Sequence, residues 1–307
     1  MYELVIVGGG PGGIAAGIYA ARKKIRTILA TDTFGGQSLV SDDIQNWVGT
    51  KSISGFDLAN RLEEHLRAQA GVEILDGDKV LKIEPEENEG FKITTEQGKI
   101  FSSKTVLLSA GSRHKKLNVR GEKEFEGKGV VYCSTCDAPL FKDKIVAVVG
   151  GGNAGLEAVI DLLPYASKIY LLHRGSQLKG DPATQEKIKN NPKVEIILSA
   201  ETLEIFGDGA LRGLRYKDGT SGEIKTLALD GIFVEVGNQP NSDFVKNLVA
   251  LNNWGEIIVD HKTQKTSQKG IWAAGDITDV LYKQNNVSAG DAIKAVLNIY
   301  DYLHKNS

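Results

Sequence analysis

The stretch Lys144-Ile145-Val146-Ala147-Val148-Val149-Gly150-Gly151-Gly152-Asn153-Ala154-Gly155 decides the fold. An apolar run of strand length breaks into glycines spaced G-x-G-x-x-G. Gly150 permits a tight turn, Gly152 lets backbone approach a pyrophosphate, and Gly155 lets the following helix pack closely on the strand. A helix is expected over Leu156 to Leu163 and a second strand over Lys168 to Leu172, which completes a βαβ unit. Just ahead of this unit stands Cys133-Ser134-Thr135-Cys136-Asp137, which contains the 2 cysteines of the 307-residue chain.

The chain opens on the same pattern. Glu3 to Val7 reads as a buried parallel strand, and Gly8-Gly9-Gly10-Pro11-Gly12-Gly13 as the turn, with Gly8, Gly10 and Gly13 in the three glycine roles. An Ala-rich helix follows over Ile14 to Arg22, and Thr27 to Ala30 is the next strand. Asp32 stands where an acid would hold a ribose hydroxyl of a bound dinucleotide. The two units form a duplicated architecture. Lys82 to Val106 alternates as antiparallel strands do, with turns at Glu86 to Gly90 and Gln97-Gly98. Val194 to Phe233 repeats that style. Near the end a strand runs into Gly275-Asp276, and a last helix is expected over Ala289 to Leu303. The fold class is therefore α/β: two Rossmann-like (ββα three-layer) nucleotide-binding domains, the second inserted in the first, each with a small β-meander. The expected divisions are 1–113, 114–241 and 242–307.

Composition narrows the function. The content is 41% apolar and 25% charged, with a net charge of −2. That is the profile of an ordinary globular protein without a field for nucleic acid or anionic membrane. No apolar run approaches the roughly 20 residues that span a bilayer. A first strand at Glu3 is expected to leave no room for a signal peptide. A cytoplasmic, reducing setting follows, where a CxxC is more often catalytic or metal-binding than a staple.

Three readings of Cys133 and Cys136 stay open on spacing alone. Zinc needs four ligands and would draw on histidines or a second chain. A structural disulfide is the second reading. A redox dithiol is the third, since CxxC spacing closes a small ring and lowers one thiol's pKa. Asp137 could serve the leaving thiol as acid or base, or could simply cap a turn. After the second βαβ unit, His173-Arg174 replaces the ribose-binding acid. Arg174, with Lys179, can pair with a 2′-phosphate and favours NADPH over NADH; the alternative is a solvated surface arginine. Two nucleotide turns and a thiol pair together describe electron-pair transfer from a nicotinamide, through a flavin, to a disulfide.

The whole chain resembles the low-molecular-weight thioredoxin reductases of prokaryotes, and the C-terminal part of the flavoprotein component of alkyl hydroperoxide reductase. The likeness runs through Gly35-Gly36-Gln37, Gln45-Asn46-Trp47, Cys133 to Asp137, Gly150 to Asn153, His173-Arg174, Gly237 to Asn241, Ala273 to Asp276 and Tyr282-Lys283-Gln284. It implies FAD on the first turn, lined by Gly8, Gly10, Pro11, Gly13, Asp32, Gly35, Gly36, Gln37, Asn46, Gly275, Asp276, Lys283, Gln284, Asn285 and Ala289. It implies NADPH, with NADH as the alternative, on Gly150, Gly152, Asn153, Gly155, His173, Arg174 and Lys179. It further implies that Cys136 faces the flavin, that Cys133 attacks a thioredoxin-like disulfide, that Asp137 is the general acid, and that the chain forms a homodimer whose second domain swings against the first. Gly175 and Lys179 stand where that family usually carries arginines, and Arg and Lys are not equivalent at a phosphate. Asp137-Ala138-Pro139-Leu140 leans toward the hydroperoxide reductases and toward ferredoxin-linked reductases, so NADH or ferredoxin is the alternative donor. A ferredoxin–NADP reductase or flavin oxidase would not require the cysteines.

Overall fold

A computed structural model describes residues 1–41, 43–86 and 90–305. The chain forms two compact units, Met1–Arg113 with Gln239 onward, and His114–Asn238. The first begins with β1 (Tyr2–Gly9), α1 (Pro11–Arg22), β2 (Thr27–Phe34), α2 (Gly55–Arg67), β3 (Val72–Asp76), β4 (Val80–Pro85), β5 (Phe91–Thr95) and β6 (Ile100–Leu108), and β7 (Ser112–His114) crosses out of it. The second holds β8 (Val130–Val131), α3 (Ser134–Asp137), β9 (Ile145–Val149), α4 (Asn153–Leu162), β10 (Lys168–Leu172), α5 (Pro182–Lys189), β11 (Val194–Ile197), β12 (Ala200–Asp208), β13 (Ala210–Asp218), β14 (Ile224–Ala228) and β15 (Gly231–Val234). The chain then returns through β16 (Asn238–Pro240) and completes the first unit with β17 (Ile271–Ala273) and α6 (Asn285–Lys305).

In the first unit β3, β2, β1 and β6 lie side by side and parallel, with β17 parallel to the far end of β6. Strand alternation sorts β1 onto two faces. Leu4 and Ile6 pack with Ile14, Ala16, Trp272, Ala292 and Val296 beneath α1 and α6. Val5 and Val7 pack with Ile83, Ile93 and Ile257 on the other side. Full burial of one such side chain contributes about 1.5–3 kcal/mol. The nine-residue β6 belongs to two systems. Its first half pairs antiparallel with β5, and its second half pairs parallel with β17. The first meander is therefore an extension of the parallel sheet.

The second unit repeats the plan with a parallel sheet ordered β11-β10-β9-β15-β8. Val146, Val148, Ile169 and Phe233 pack with Leu156, Val159 and Ile188 on the helical side. Ala147, Val149, Ile232 and Val234 meet Ile205, Leu214 and Tyr216 of the separate antiparallel sheet β12-β13-β14. Helices, parallel sheet and antiparallel sheet make the three layers. The meander is shorter than the alternation of Val194 to Phe233 suggests. β11 and β15 pair parallel with β10 and β9, and only Ala200–Ala228 is antiparallel. The reason is visible in β15, whose four residues are all buried, as a strand covered on both faces must be.

Glycine contacts set both βαβ entries. Gly8 lies at φ +114°, and a Cβ on Gly13 would stand 1.8 Å from the Gly8 carbonyl oxygen. At the second turn Gly150 lies at φ +139°, and a Cβ on Gly155 would stand 1.9 Å from the Gly150 oxygen. Each helix thereby starts directly on the end of its strand. Pro11 at the first position of α1 fits the same start, where its missing N–H costs nothing. The helices begin earlier than the apolar pattern suggests: α4 opens at Asn153 and α6 at Asn285. Polar residues in a first turn carry no apolar period, so the pattern starts late. Gly98 at φ +80°, with its N–H donating to Thr95 O at 3.1 Å, makes the turn expected at Gln97-Gly98. Glu87 to Glu89 of the other expected turn lie outside the described residues.

Gly13→Ala should cost about 1–3 kcal/mol, the usual cost of overpacking. A urea midpoint unchanged from the parent protein would contradict this account of the turn.

Candidate active site

In an open parallel sheet, ligands settle beyond the carboxyl ends of the strands, where neighbouring strands leave in opposite directions. The first unit has a cavity of about 620 Å³ at that place. Its walls include the carboxyl ends of β1 and β2 (Gly8–Gly12 and Thr31–Thr33) and the residues after β6 (Ser109–Arg113) and β17 (Ala274–Asp276). Gly10 caps α1 without a side-chain bond, and a Cβ there would meet nothing within 4 Å. The first-turn amides of α1 and the positive end of its dipole are thus available to a phosphate. Asp32, Gly36, Gln37 and Asn285 line the same cavity. Gln37 Nε2 donates to the Ser112 carbonyl at 2.6 Å. Asp276 is a half-buried lining residue; desolvation of its carboxyl raises its pKa, partly offset by Lys283 and by Ser288, whose hydroxyl donates to it at 3.2 Å. A long, doubly phosphorylated ligand with a polyol fits this donor set.

The remaining residues expected at this site are placed less directly. Gly35 and Gly36, at φ +94° and +56°, set the loop that follows β2. Lys283 pairs with Glu256 at 2.9 Å and donates to Thr278 O at 2.6 Å. Gln284 accepts from Asn46 Nδ2 at 3.2 Å, and Asn286 Nδ2 donates to Asn46 O at 2.8 Å. These bonds tie the Asn46 loop to the start of α6. Lys283, Gln284, Asn46 and Ala289 are not among the cavity's lining residues.

In the second unit Gly152 caps α4 as Gly10 caps α1, with nothing within 4 Å of a Cβ there. Asn153 is turned toward α5, accepting from the Asp181 N–H at 2.8 Å. His173 packs beneath the turn: a Cβ on Gly151 would lie 2.5 Å from its ring, and one on Gly175 2.8 Å from its Nε2. Burial, then the charge of Lys179, lowers its pKa, against a bond to the Gln177 backbone. His173, half-buried with its Nε2 enclosed, braces the turn. Arg174 and Lys179 are exposed beside it, and neither makes an ion pair among the described residues.

The cysteines sit at the same edge of this sheet. Cys133 and Cys136 are joined as a disulfide. Cys133 caps the short α3, and its Sγ accepts the Cys136 N–H at 3.2 Å. Asp137 is 7% exposed, and its N–H donates to Cys133 O at 3.0 Å. The turn is anchored on α4: Ser134 Oγ donates to Asp161 Oδ2 at 2.8 Å and Thr135 Oγ1 to the same oxygen at 3.3 Å. Beneath it lies Glu235, at the end of β15. Burial pushes its pKa up to about 8, reinforced by the charges of Asp161, Glu157 and Asp137 and opposed by the Ser134 N–H.

Glu235 and Asp161 escaped the sequence reading. A signal existed for the first, a lone acid in the apolar run Ile232-Phe233-Val234-Glu235-Val236. Asp161 gave none, since an acid on an amphipathic helix ordinarily faces water. Lys79–Leu81 and Asp243-Phe244 complete the first cavity's wall and carry no motif. Among the described residues no group of acids, histidines and cysteines could hold a metal, and no helix is long and apolar enough to cross a membrane.

The family model for pyridine nucleotide-disulphide oxidoreductases matches residues 2–294. A Pseudomonas putida protein that is one component of alkyl hydroperoxide reductase is 44% identical over 308 residues, which cover 100% of this chain and 59% of that protein. A Bacillus subtilis protein named NADH dehydrogenase is 41% identical over 99% of this chain and 59% of its own length. The chain therefore spans just under three fifths of the curated relatives that it matches. Among solved structures, thioredoxin reductase from Streptococcus pyogenes superposes with a TM-score of 0.92 at 32% identity, covering 99% of both chains. The enzyme from Giardia duodenalis gives 0.91 at 31% identity, again covering 99% of both.

Glu235 binds its proton more tightly folded than unfolded, so it favours the folded state fully only below the ordinary carboxylate range. That contribution is lost as pH rises through about 8. Glu235→Gln should therefore gain stability on the parent protein across that window, read as the difference in urea midpoints. A pH-independent difference would contradict the buried-acid reading.

Proposed function

The chain belongs to that family of oxidoreductases, and on this premise we propose that it passes electron pairs from NADPH through FAD to Cys133–Cys136, and on to thioredoxin or a thioredoxin-like protein. The observation that carries the reading is a closed Cys133–Cys136 disulfide at the same sheet edge as the second glycine turn. Family membership implies FAD and a pyridine nucleotide; which nucleotide is this proposal's own step.

FAD bound in the first cavity would supply the two-electron relay between nicotinamide and disulfide. The amides of α1 beside Gly10 and Pro11 would hold its pyrophosphate, Asp32 a ribose hydroxyl, and Asp276 the polyol. Gln37 would stand along it, with the Asn46–Gln284 brace behind the wall. Gly150, Gly152 and Gly155 would take the nicotinamide dinucleotide, with His173 bracing the turn and Arg174 and Lys179 on a 2′-phosphate.

Two electrons and two protons open the Cys133–Cys136 bond to two thiols. Cys133 gives its proton to Asp137, and the resulting thiolate, favoured by the Cys136 N–H, attacks the partner's disulfide. A Cys133–partner bond forms and one partner thiolate leaves, taking a proton from Asp137. Cys136 then attacks Cys133 Sγ, which restores the internal disulfide and releases the partner's second thiol.

One alternative donor has support. Gly175 and Lys179 replace arginines, and a relative at 41% identity carries the name NADH dehydrogenase. The intact second turn speaks against ferredoxin, which would have no need of it.

Cys133→Ser should reduce disulfide turnover to background, and full turnover in that variant would overturn the mechanism. Arg174→Ala should raise KM for NADPH about tenfold or more while leaving KM for NADH unchanged, since a charge-assisted bond is worth about 1.5–3 kcal/mol. A parent protein that prefers NADH would transfer the proposal to that donor.

A further inference from the structure

The proposed mechanism leaves one half-buried acid, Glu235, unused. In the second unit β8 and β15 are neighbours, with Val130 opposite Ile232 and Val131 opposite Phe233. Two further steps along that parallel register bring Cys133 and Glu235 to the same level, and paired strands run about 4.8 Å apart. The ladder itself has ended there, because Cys133 turns to cap α3. Glu235 is instead held from its other side, its N–H donating to Val149 O at 2.9 Å. Its side chain accepts the N–H of Ser134, the residue after Cys133.

The surroundings of Glu235 are of one sign. From α4 come Asp161 and Glu157, one helical turn apart, and from the redox turn comes Asp137. The glycine turn packed beside its backbone brings no charge, and β8 leads only to the cysteines. The charges acting on Glu235 are thus all carboxylates, and Asp161 is fixed in place by two hydroxyls of the CxxC turn. Opening the disulfide adds two more titratable groups to this crowd.

We propose that Glu235 is a positioning residue for the redox pair, acting through charge: it holds a proton while Cys133–Cys136 is a disulfide, and once the pair is a dithiol it competes with Cys133 to be the group that ionises. The reduced turn then has three exchangeable protons, on Cys133, Cys136 and Glu235. With Glu235 neutral, one proton leaves from Cys133 and the attacking thiolate forms. With Glu235 ionised, a second negative charge beside Cys133 keeps that proton on sulfur. Titrations of such neighbours merge into broad shared steps.

This inference rests on the reading of the pair as the redox couple, and the test separates the two. The purified holoprotein is reduced anaerobically with dithiothreitol, which loses two electrons and two protons as the Cys133–Cys136 bond opens. The reductant is removed, and the rate of iodoacetamide alkylation at Cys133 is followed by peptide mass from pH 5 to 10. Glu235→Gln keeps the shape and the acceptor for the Ser134 N–H and removes only the ionisation. Its rate should rise with pH in a single step. The parent protein should show a broader step at higher pH, with alkylation roughly three- to tenfold slower near pH 8.5, the effect of one extra charge at short range through a partly screened medium. Superposed profiles would overturn the inference and leave the redox reading standing. If dithiothreitol yields no alkylatable thiol, both fall.

Should the Gln variant not fold, infrared difference spectra of the parent protein between disulfide and dithiol states supply the second reading. A protonated-carboxyl stretch that changes on reduction, and shifts in Glu235→Asp, supports the proposal. The absence of any such band overturns it.

Discussion

Two helices in this chain begin in van der Waals contact with the ends of the strands that precede them, and the rest of the molecule depends on that contact. It exists because Gly13 and Gly155 have no side chain; a methyl group would stand 1.8 Å or 1.9 Å from the carbonyl of the turn's first glycine. Seated so closely, each helix aims unbonded amides over the carboxyl edge of its sheet. Both units repeat this device, and every group of chemical interest in them stands on that edge. In the first unit these are Asp32 and Asp276. In the second they are Arg174 after β10, Glu235 after β15 and Cys133 after β8.

The parallel sheet also explains what the sequence shows readily and what it hides. Glycine spacing, CxxC and His173-Arg174 are local patterns, and each falls where the pattern puts it. Neighbours brought together by strand order leave no local trace. Cys133 and Glu235 are far apart in the chain yet follow adjacent strands, and only the β8–β15 pairing reveals it. The boundary of the second meander is hidden for a related reason: alternation and continuous burial look alike over four residues, so β15 shows its parallel character only through its neighbours. His173 was expected among the nucleotide ligands. Its ring lies under Gly151 and against Gly175, so a side chain at either position would displace it. The glycine in place of the family's second arginine is thereby given a packing reason.

Charge divides the second unit's edge into two regions. Around the nucleotide turn stand Arg174 and Lys179, exposed and without ion pairs among the described residues, suited to an anionic ligand. Around the disulfide stand Asp137, Asp161, Glu157 and Glu235. Carboxylates crowd one another when buried, and the response is to retain a proton on the group least able to reach water. A disulfide carries no charge and tolerates such a setting, whereas a thiolate does not. On the role proposed for Glu235, the redox state of the cysteines is coupled to the proton content of the acids around them, and α4 reaches both regions, through its first turn at Asn153 and its last at Asp161.

The central claim is that electrons delivered by a nicotinamide reach the cysteine pair. The most direct measurement adds NADPH stoichiometrically to the anaerobic holoprotein, quenches in acid and counts free thiols. The account predicts two new thiols per chain, both on the peptides of Cys133 and Cys136, the chain's 2 cysteines. A bleached flavin with the disulfide intact would contradict it and would make the pair a structural staple.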